Sequence, residues 1–269
     1  MQGTDLDLLI ATAKASGEIA RGFVDVAPKV WEKGGGAGPV TEADLAVNEL
    51  MASDLQTARP DYGWLSEETE DDMARLERQR QFIVDPIDGT RAFIDGSRDW
   101  AHALAVLEDG LVTCAVVYLP MRDLMYTASH GGGAFLNGEP IKVSQKTDLD
   151  GATVLSNKAS FADEIWAAGA PPIGVTRKFR SSLAYRLSLA AQGRFDAMMI
   201  IRPSWEWDIA AGALIVAEAG GDVTDQTGAP LRFNNPHPQV NGVVAGSPIT
   251  SKLRDAFATS TVEARLPNT

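Results

Sequence analysis

The sequence predicts an α+β half carrying a meander of strands, followed by an α/β half. Three observations carry this fold class. Apolar runs of strand length recur at about 82–85, 101–107, 111–119 and 124–128, separated by short turns. Two segments of helical periodicity precede them, and after residue 150 strand-like and helix-like runs alternate. The change of pattern near 145–152 divides the chain into residues 1–148 and 149–269, read as two sub-domains sharing one cleft.

Residues 4–27 place Leu6, Leu9, Ile10, Ala13, Ala20, Phe23 and Val24 at helical spacing. Thr4 and Asp7 fit a capping box, and Pro28 lies just past the end. Lys33-Gly34-Gly35-Gly36-Ala37-Gly38-Pro39 reads as a mobile loop without the Gly-Lys-Ser/Thr ending of a nucleotide P-loop. A second helix starts at Thr41-Glu42-Ala43-Asp44 and carries Val47, Leu50, Met51 and Leu55. Thr41 and Asp44 again fit a capping box, which by itself accounts for Asp44. Trp64-Leu65-Ser66 is a short apolar stretch ending in Glu67-Glu68, and the charged residues 69–81 read as a solvated helix or loop.

The apolar run Phe82-Ile83-Val84 leads into Asp85-Pro86-Ile87-Asp88-Gly89-Thr90. Pro86, lacking an N–H, is predicted to end the strand there. Gly89 lets the backbone approach a ligand, and Thr90 adds a hydroxyl. Two carboxylates three residues apart suit a hard cation such as Mg²⁺, but Asp-Pro and Asp-Gly pairs suit an ordinary surface turn equally well. Further on, Pro140-Ile141-Lys142-Val143 and residues 153–156 read as strands, and residues 182–191 as a helix closed by Gly193. Residues 195–201 read as a strand, and 208–219 as a helix ended by Gly220-Gly221. The segment from Trp205 to Ala217 is apolar on every helical face and is therefore predicted to be buried, with Asp208 in its first turn. Dipole compensation there is worth about 0.3–1 kcal/mol. Burying an unpaired carboxylate costs more than that, so Asp208 needs a partner, whether a capped helix end or a metal.

With 269 residues, 45% of them hydrophobic, the chain can bury a large core. A net charge of −12 argues against a nucleic-acid polymer or an anionic membrane as partner. An acidic protein acting on an anionic substrate needs local cations, and bound divalent ions supply them. Cys114 stands alone within an apolar run and reads as a small core residue. His102, His130 and His237 form no zinc-like cluster. No basic n-region opens the chain and no apolar run approaches ~18 residues, so a cytoplasmic location is expected.

Acidic residues therefore recur at the ends of elements: Asp44, Glu67, Asp85 with Asp88, and Asp208. Val40-Thr41-Glu42-Ala43-Asp44, Ser66-Glu67-Glu68, the 85–90 hexapeptide with Phe93 and Gly96, and Trp207-Asp208-Ile209-Ala210-Ala211-Gly212 followed by Glu218-Ala219-Gly220-Gly221 occur in a telling order and spacing. Over residues 5–250 they resemble the inositol monophosphatase family of Mg²⁺-dependent, lithium-sensitive phosphatases. The resemblance implies a sugar-phosphatase-type α-β-α-β-α sandwich, commonly as a homodimer, with most metal ligands in the first sub-domain. It implies that Glu67, Asp85 and the Ile87 carbonyl hold one Mg²⁺, that Asp85, Asp88 and Asp208 hold a second, and that a weaker third sits near Glu67 with Lys33 beside it. Thr90 and Asp44, together with Glu67, would orient and activate water, and the Gly89 and Thr90 amides would hold phosphate. Ser182, Arg180 and Asp208 would surround the substrate.

The reaction implied is hydrolysis of a small soluble phosphomonoester, with two ions about 3.5–4 Å apart clamping the phosphoryl group. The substrate class is inositol 1-phosphate-like. In animal inositol monophosphatases a glutamate seven residues before the last metal aspartate contacts inositol; Ile201 occupies that position here. Arg98-Asp99-Trp100, Arg180-Ser181-Ser182-Leu183 and Pro203-Ser204-Trp205-Glu206-Trp207 look closer to bacterial 3'(2'),5'-bisphosphate nucleotidases acting on 3'-phosphoadenosine 5'-phosphate. Arg180 and Arg202 could meet a second phosphate or stand solvated at the surface, and Trp205 with Trp207 could carry adenine. Histidinol phosphatases share a similar Asp-Gly-Thr-Arg segment. A regulatory protein of the same fold is a further alternative, disfavoured because every carboxylate the chemistry needs is present.

Overall fold

Capping chemistry sets the first two helices. Thr4 and Asp7 exchange main-chain-to-side-chain bonds of 3.1 Å in both directions at the start of α1 (Asp5–Val24). Thr41 and Asp44 form the same box at the start of α2 (Glu42–Ala58). The computed structural model describes residues 3–24, 26, 28–34 and 38–263; the expected helical residues 25 and 27 and the glycine-rich residues 35–37 lie outside that range. On either side of residues 35–37 the expected loop is replaced by a hairpin. In it β1 (Val30–Lys33) pairs antiparallel with β2 (Gly38–Thr41), putting Lys33 opposite Gly38.

A seven-stranded sheet follows, built from β3 (Gly63–Ser66), β4 (Arg80–Asp88), β5 (Ala101–Glu108), β6 (Leu111–Leu119), β7 (Leu124–Ser129), β8 (Gly133–Leu136) and β9 (Glu139–Pro140) in sequence order. Only β3 and β4 run parallel, and α3 (Thr90–Ile94) leaves the end of β4. The second sheet contains β10 (Thr153–Leu155), β11 (Thr176–Lys178), β12 (Ala197–Trp205), β13 (Asp222–Thr224) and β14 (Gln239–Gly246), in the order β11-β10-β12-β14-β13. Helices α4 (Leu183–Ala191), α5 (Glu206–Glu218), α6 (Ile249–Asp255) and α7 (Thr259–Glu263) complete the chain.

Side-chain alternation turns these elements into layers. Along β5, Ala101, Ala103, Ala105 and Leu107 face α4 and α5, whereas Leu104 and Val106 face α1 and α2. In β12, Met198 and Ile200 join the α4–α5 core, while Ala197 and Met199 pack with Ile249, Leu253 and Trp166 on the far side. The order is therefore α1/α2, seven-stranded sheet, α4/α5, five-stranded sheet, α6: the expected α-β-α-β-α sandwich. Both faces of each sheet are covered, which is why the strands read as nearly continuous apolar runs.

The all-round apolar helix lies at the centre of this stack and starts at Glu206, two residues earlier than its sequence suggests. Gly212 in α5 lets α4 approach closely, since a Cβ there would lie 2.5 Å from Leu187 Cβ and 2.6 Å from its Cδ1. Gly212→Val is expected to destabilise the protein by roughly 1–3 kcal/mol through overpacking. At about 2–4 °C per kcal/mol the loss is readable by differential scanning calorimetry; an unchanged melting temperature would show that the two helices can separate at no cost.

Three further expectations are corrected. Pro86 does not end its strand: β4 continues to Asp88, with Asp85 opposite Ala103 and Asp88 opposite Ala101. Three steps on β4 thus match two on β5, a bulge that places the residue without an N–H where the ladder is already interrupted. The bulge leaves the Pro86 carbonyl facing the core, where the fully buried His102 donates to it through Nδ1. Burial lowers the His102 pKa to about 4, so the ring is neutral. The charged stretch 69–81 is not simply solvated. Its 3₁₀ turn Met73–Glu77 buries Arg75, which binds Asp71 and the Asn235 carbonyl. Finally, residues 142–143 leave the sheet: after the two-residue β9 the Ile141 amide still donates to Ala134 on β8, but the Val143 amide donates to the Ala219 carbonyl just past α5.

Candidate active site

Strand register brings the carboxylates together. Ser66 pairs with Val84 across the parallel β3–β4 ladder, so the next residues, Glu67 and Asp85, emerge side by side. The bulge then returns Asp88 to the same end of β4, and α5, packed on β4, β5 and β6, brings Asp208 over them from its first turn. One carboxylate oxygen each from Glu67, Asp85 and Asp208 lies within 4.8 Å of the others. All four acids line a cleft of about 660 Å³, together with Lys33, Gly89 and Thr90.

Crowded negative charge characterises the cluster. Neither Asp85 oxygen receives a hydrogen bond from any described residue, although both are buried. Burial, followed by repulsion from Glu67, Asp88 and Asp208, holds its pKa well above the usual carboxylate range. Asp208 is raised for the same reasons, burial first and then Asp88 and Glu67. Asp88 is also raised by burial, but less so, because its Oδ2 accepts from Ser182 Oγ at 2.5 Å and from the Ala184 amide at 2.6 Å. Glu68 is pushed up to about 7 by burial and by Glu67. Lys33 Nζ reaches Glu67 at 2.8 Å and Glu68 at 2.7 Å. Burial alone would lower Lys33, and these two glutamates instead hold it above its ordinary value. Closely spaced, hard oxygen donors that repel one another, with Asp85 lacking any hydrogen-bond donor among the described residues, fit a hard divalent cation.

Next to the cluster, Thr90 Oγ1 donates to Asp44 Oδ1 at 3.1 Å and lies 3.3 Å from the Ile87 carbonyl. Asp44 is fully buried behind the cleft wall, its Oδ2 held by the Thr41 amide at 2.8 Å and hydroxyl at 2.6 Å. It therefore caps α2 and binds Thr90 at the same time. Burial raises its pKa, and the bonds from Thr41 and Thr90 oppose the rise. Gly89 has φ +100°, a conformation that favours glycine.

Several predicted substrate residues stand elsewhere. Ser182 caps α4 and supports Asp88 rather than lining the cleft. Arg180 lies off the cleft lining, 3.7 Å from Asp99. Arg202 does line the cleft, though it is exposed. Ile201 packs into the α6 side of the five-stranded sheet, and its neighbour Ile200 faces the cleft in its place. Trp205 and Trp207 line the cleft as a stacked pair, with centroids 4.8 Å apart and planes 9° apart. Between them Glu206 is a buried strut accepting from the Asn234 and Asn235 amides at 2.7 and 2.9 Å.

Sequence reasoning missed Arg186, a cleft residue only 4% exposed. The available signal was an arginine, the one charged residue inside the largely apolar run 183–191.

Comparison with known proteins places this arrangement. A family model described as the inositol monophosphatase family matches residues 3–265. An inositol-1-monophosphatase of Rhizobium meliloti is 34% identical over 231 residues, 81% of this chain and 84% of that protein. The Nus factor SuhB of Escherichia coli K12 is 34% identical over 220 residues, 78% of each protein. The crystal structure of the extragenic suppressor protein suhB from Bartonella henselae superposes with a TM-score of 0.79 at 28% identity, covering 97% of this chain and 98% of that one.

Proposed function

The chain belongs to the inositol monophosphatase family and is a phosphoric monoester hydrolase, and from that premise we propose that it hydrolyses small soluble phosphomonoesters with Mg²⁺, accepting inositol 1-phosphate without strongly selecting it. The observation that carries this reading is the cluster of Glu67, Asp208 and the buried Asp85, with Asp88 beside it and, among the described residues, no cation in hydrogen-bond contact with Asp85. Glu67, Asp85, Asp88, Asp208 and the Ile87 carbonyl would hold two to three ions. Bound Mg²⁺ supplies Lewis-acid stabilisation of the phosphoryl oxygens and acidifies water.

The remaining work falls to the protein's own groups. Thr90 Oγ1, giving its proton to the hydrogen bond with Asp44, presents a lone pair that orients the attacking water. Asp44, its Oδ2 held by Thr41, would take the Thr90 hydroxyl proton on Oδ1 as Thr90 Oγ1 takes one from the attacking water. Gly89 and Thr90 form the wall against which the phosphoryl group rests. Ser182 and the Ala184 amide keep Asp88 in place. Ile200, on the cleft side of β12, is apolar and offers no hydroxyl partner, which supports weak selection for inositol, while Ile201 packs on the opposite face.

Phosphate release from inositol 1-phosphate and a small phosphomonoester panel, with and without Mg²⁺, tests the reading. Turnover is expected only with the cation and is expected to be inhibited by millimolar Li⁺ in an uncompetitive or mixed manner. Metal-independent turnover, or none with any phosphomonoester, overturns it. A homodimer and a cytoplasmic location complete the proposal, and sedimentation tests the first. Among the described residues no helix is long and apolar enough to cross a membrane.

A further inference from the structure

Arg186 is a buried cation without a counterion among the described residues. Its Nε donates to the Arg180 carbonyl and its Nη2 to the Ser181 carbonyl at 3.3 Å, while the Phe179 ring lies 4.6 Å from the guanidinium carbon. Neutral carbonyls and a ring face fix the orientation of the planar fork but leave its charge uncompensated. Nη1 has no hydrogen-bond partner among the described residues, and no carboxylate pairs with the group. Asp88, whose field favours the charge most, is already engaged by Ser182 and Ala184. Asp99, on the same side of the molecule, pairs with Arg122 and faces Arg180.

An unpaired guanidinium is costly to bury. Its fixed fork matches phosphate and carboxylate oxygens in a bidentate way that a lysine cannot reproduce. The cleft that Arg186 lines also holds Arg202 and the Trp205–Trp207 stack, and at about 660 Å³ it exceeds what a bare phosphate needs. The scissile group belongs beside the carboxylate cluster and Thr90, which leaves the guanidinium for a different anion. Resting on the phosphatase reading, we propose that Arg186 recognises a second anionic group on the substrate, so that preferred substrates are phosphomonoesters carrying a further phosphate or carboxylate on the leaving-group side.

Matched pairs test this with the full-length protein. Adenosine 3',5'-bisphosphate is compared with adenosine 3'-monophosphate, and fructose 1,6-bisphosphate with fructose 1-phosphate, as ratios of kcat/KM. The doubly anionic member is expected to win by at least tenfold in one pair, and which pair responds separates a nucleotide from a sugar source. Arg186→Gln is expected to abolish that preference through KM, and Arg186→Lys to restore only part of it. Calorimetric binding of the same compounds with Ca²⁺ replacing Mg²⁺ reads the subsite apart from turnover, and circular dichroism verifies that each variant is folded. Equal losses for both members of a pair would assign Arg186 to the scissile phosphate and overturn the inference, as would an absence of preference in both turnover and binding. Failure of the phosphatase reading looks different: no compound releases phosphate, while the binding preference for the second anion persists.

Discussion

Asp85→Asn is expected to lower phosphate release by about a thousandfold or more, roughly 4 kcal/mol of transition-state stabilisation, while raising the melting temperature of the metal-free protein. Both effects have one cause. Asp85 is buried, neither of its oxygens has a donor among the described residues, and Glu67, Asp88 and Asp208 all repel it. An asparagine of nearly the same shape removes one charge from the cation site and can donate from its amide to the neighbouring carboxylates. The pH dependence follows from the direction of the shifts. Because the native pKa of Asp85 and Asp208 is raised, the folded state binds more protons than the unfolded chain above the ordinary carboxylate value, and its stability falls as pH rises. Metal-free wild-type protein should therefore melt lower at pH 7 than at pH 5, and Asp85→Asn should flatten that slope. Mg²⁺ should reverse the slope in the wild type by binding only the folded state. Calorimetry over pH 5–7, with and without Mg²⁺, measures all of this; a variant that keeps its turnover and gains no stability would sink the assignment of Asp85 as a ligand.

Thr90→Val should reduce kcat by roughly 10²–10⁴-fold, the range for a positioned proton-transfer group, with little change in the Mg²⁺ concentration that gives half-maximal rate. Valine keeps the branched shape but removes the hydroxyl that links the cleft to Asp44. It also removes one of the bonds holding the Asp44 pKa down. The acidic limb of the kcat–pH profile should therefore move to higher pH, a displacement that simple loss of packing would not produce. An unchanged limb together with an unchanged kcat would remove Thr90 from the proton path.

The layered fold was legible because its rules are local. Strands buried on both faces read as apolar runs, and the Thr4–Asp7 and Thr41–Asp44 boxes are written within four residues. The acids of the cleft were legible as a set because they recur at element ends. Pro86 misled because its missing N–H is a local fact, whereas the bulge that accommodates it depends on β5 and on His102. Arg180 and Arg186 show the same limit. Six residues apart in sequence, one was read as a substrate or surface cation and the other was missed, and only the tertiary fold turns Arg180 to Asp99 and buries Arg186 in the cleft wall. The bond from Ser182 to Asp88 was likewise not legible, because sequence spacing gives no direction for a side chain.

The α4–α5 layer has a consequence for how molecules come and go. Its residues share one continuous apolar core with both sheets, from Leu65 and Ala103 on one side to Met198 and Val243 on the other. Asp85 and Asp88 are anchored to the first sheet, and Asp208 to the helix wedged between the two. A jaw-like opening between the sheets would have to peel that helix from one of them and expose its apolar surface at about 25 cal/mol per Å². Traffic through the cleft is therefore confined to its rim, where Phe179 and Arg202 are exposed and Lys33 bridges Glu67 and Glu68. Substrate entry and product escape should be gated by side chains on the timescale of rotamer and loop motion, and not by the slower swing of one half of the molecule against the other.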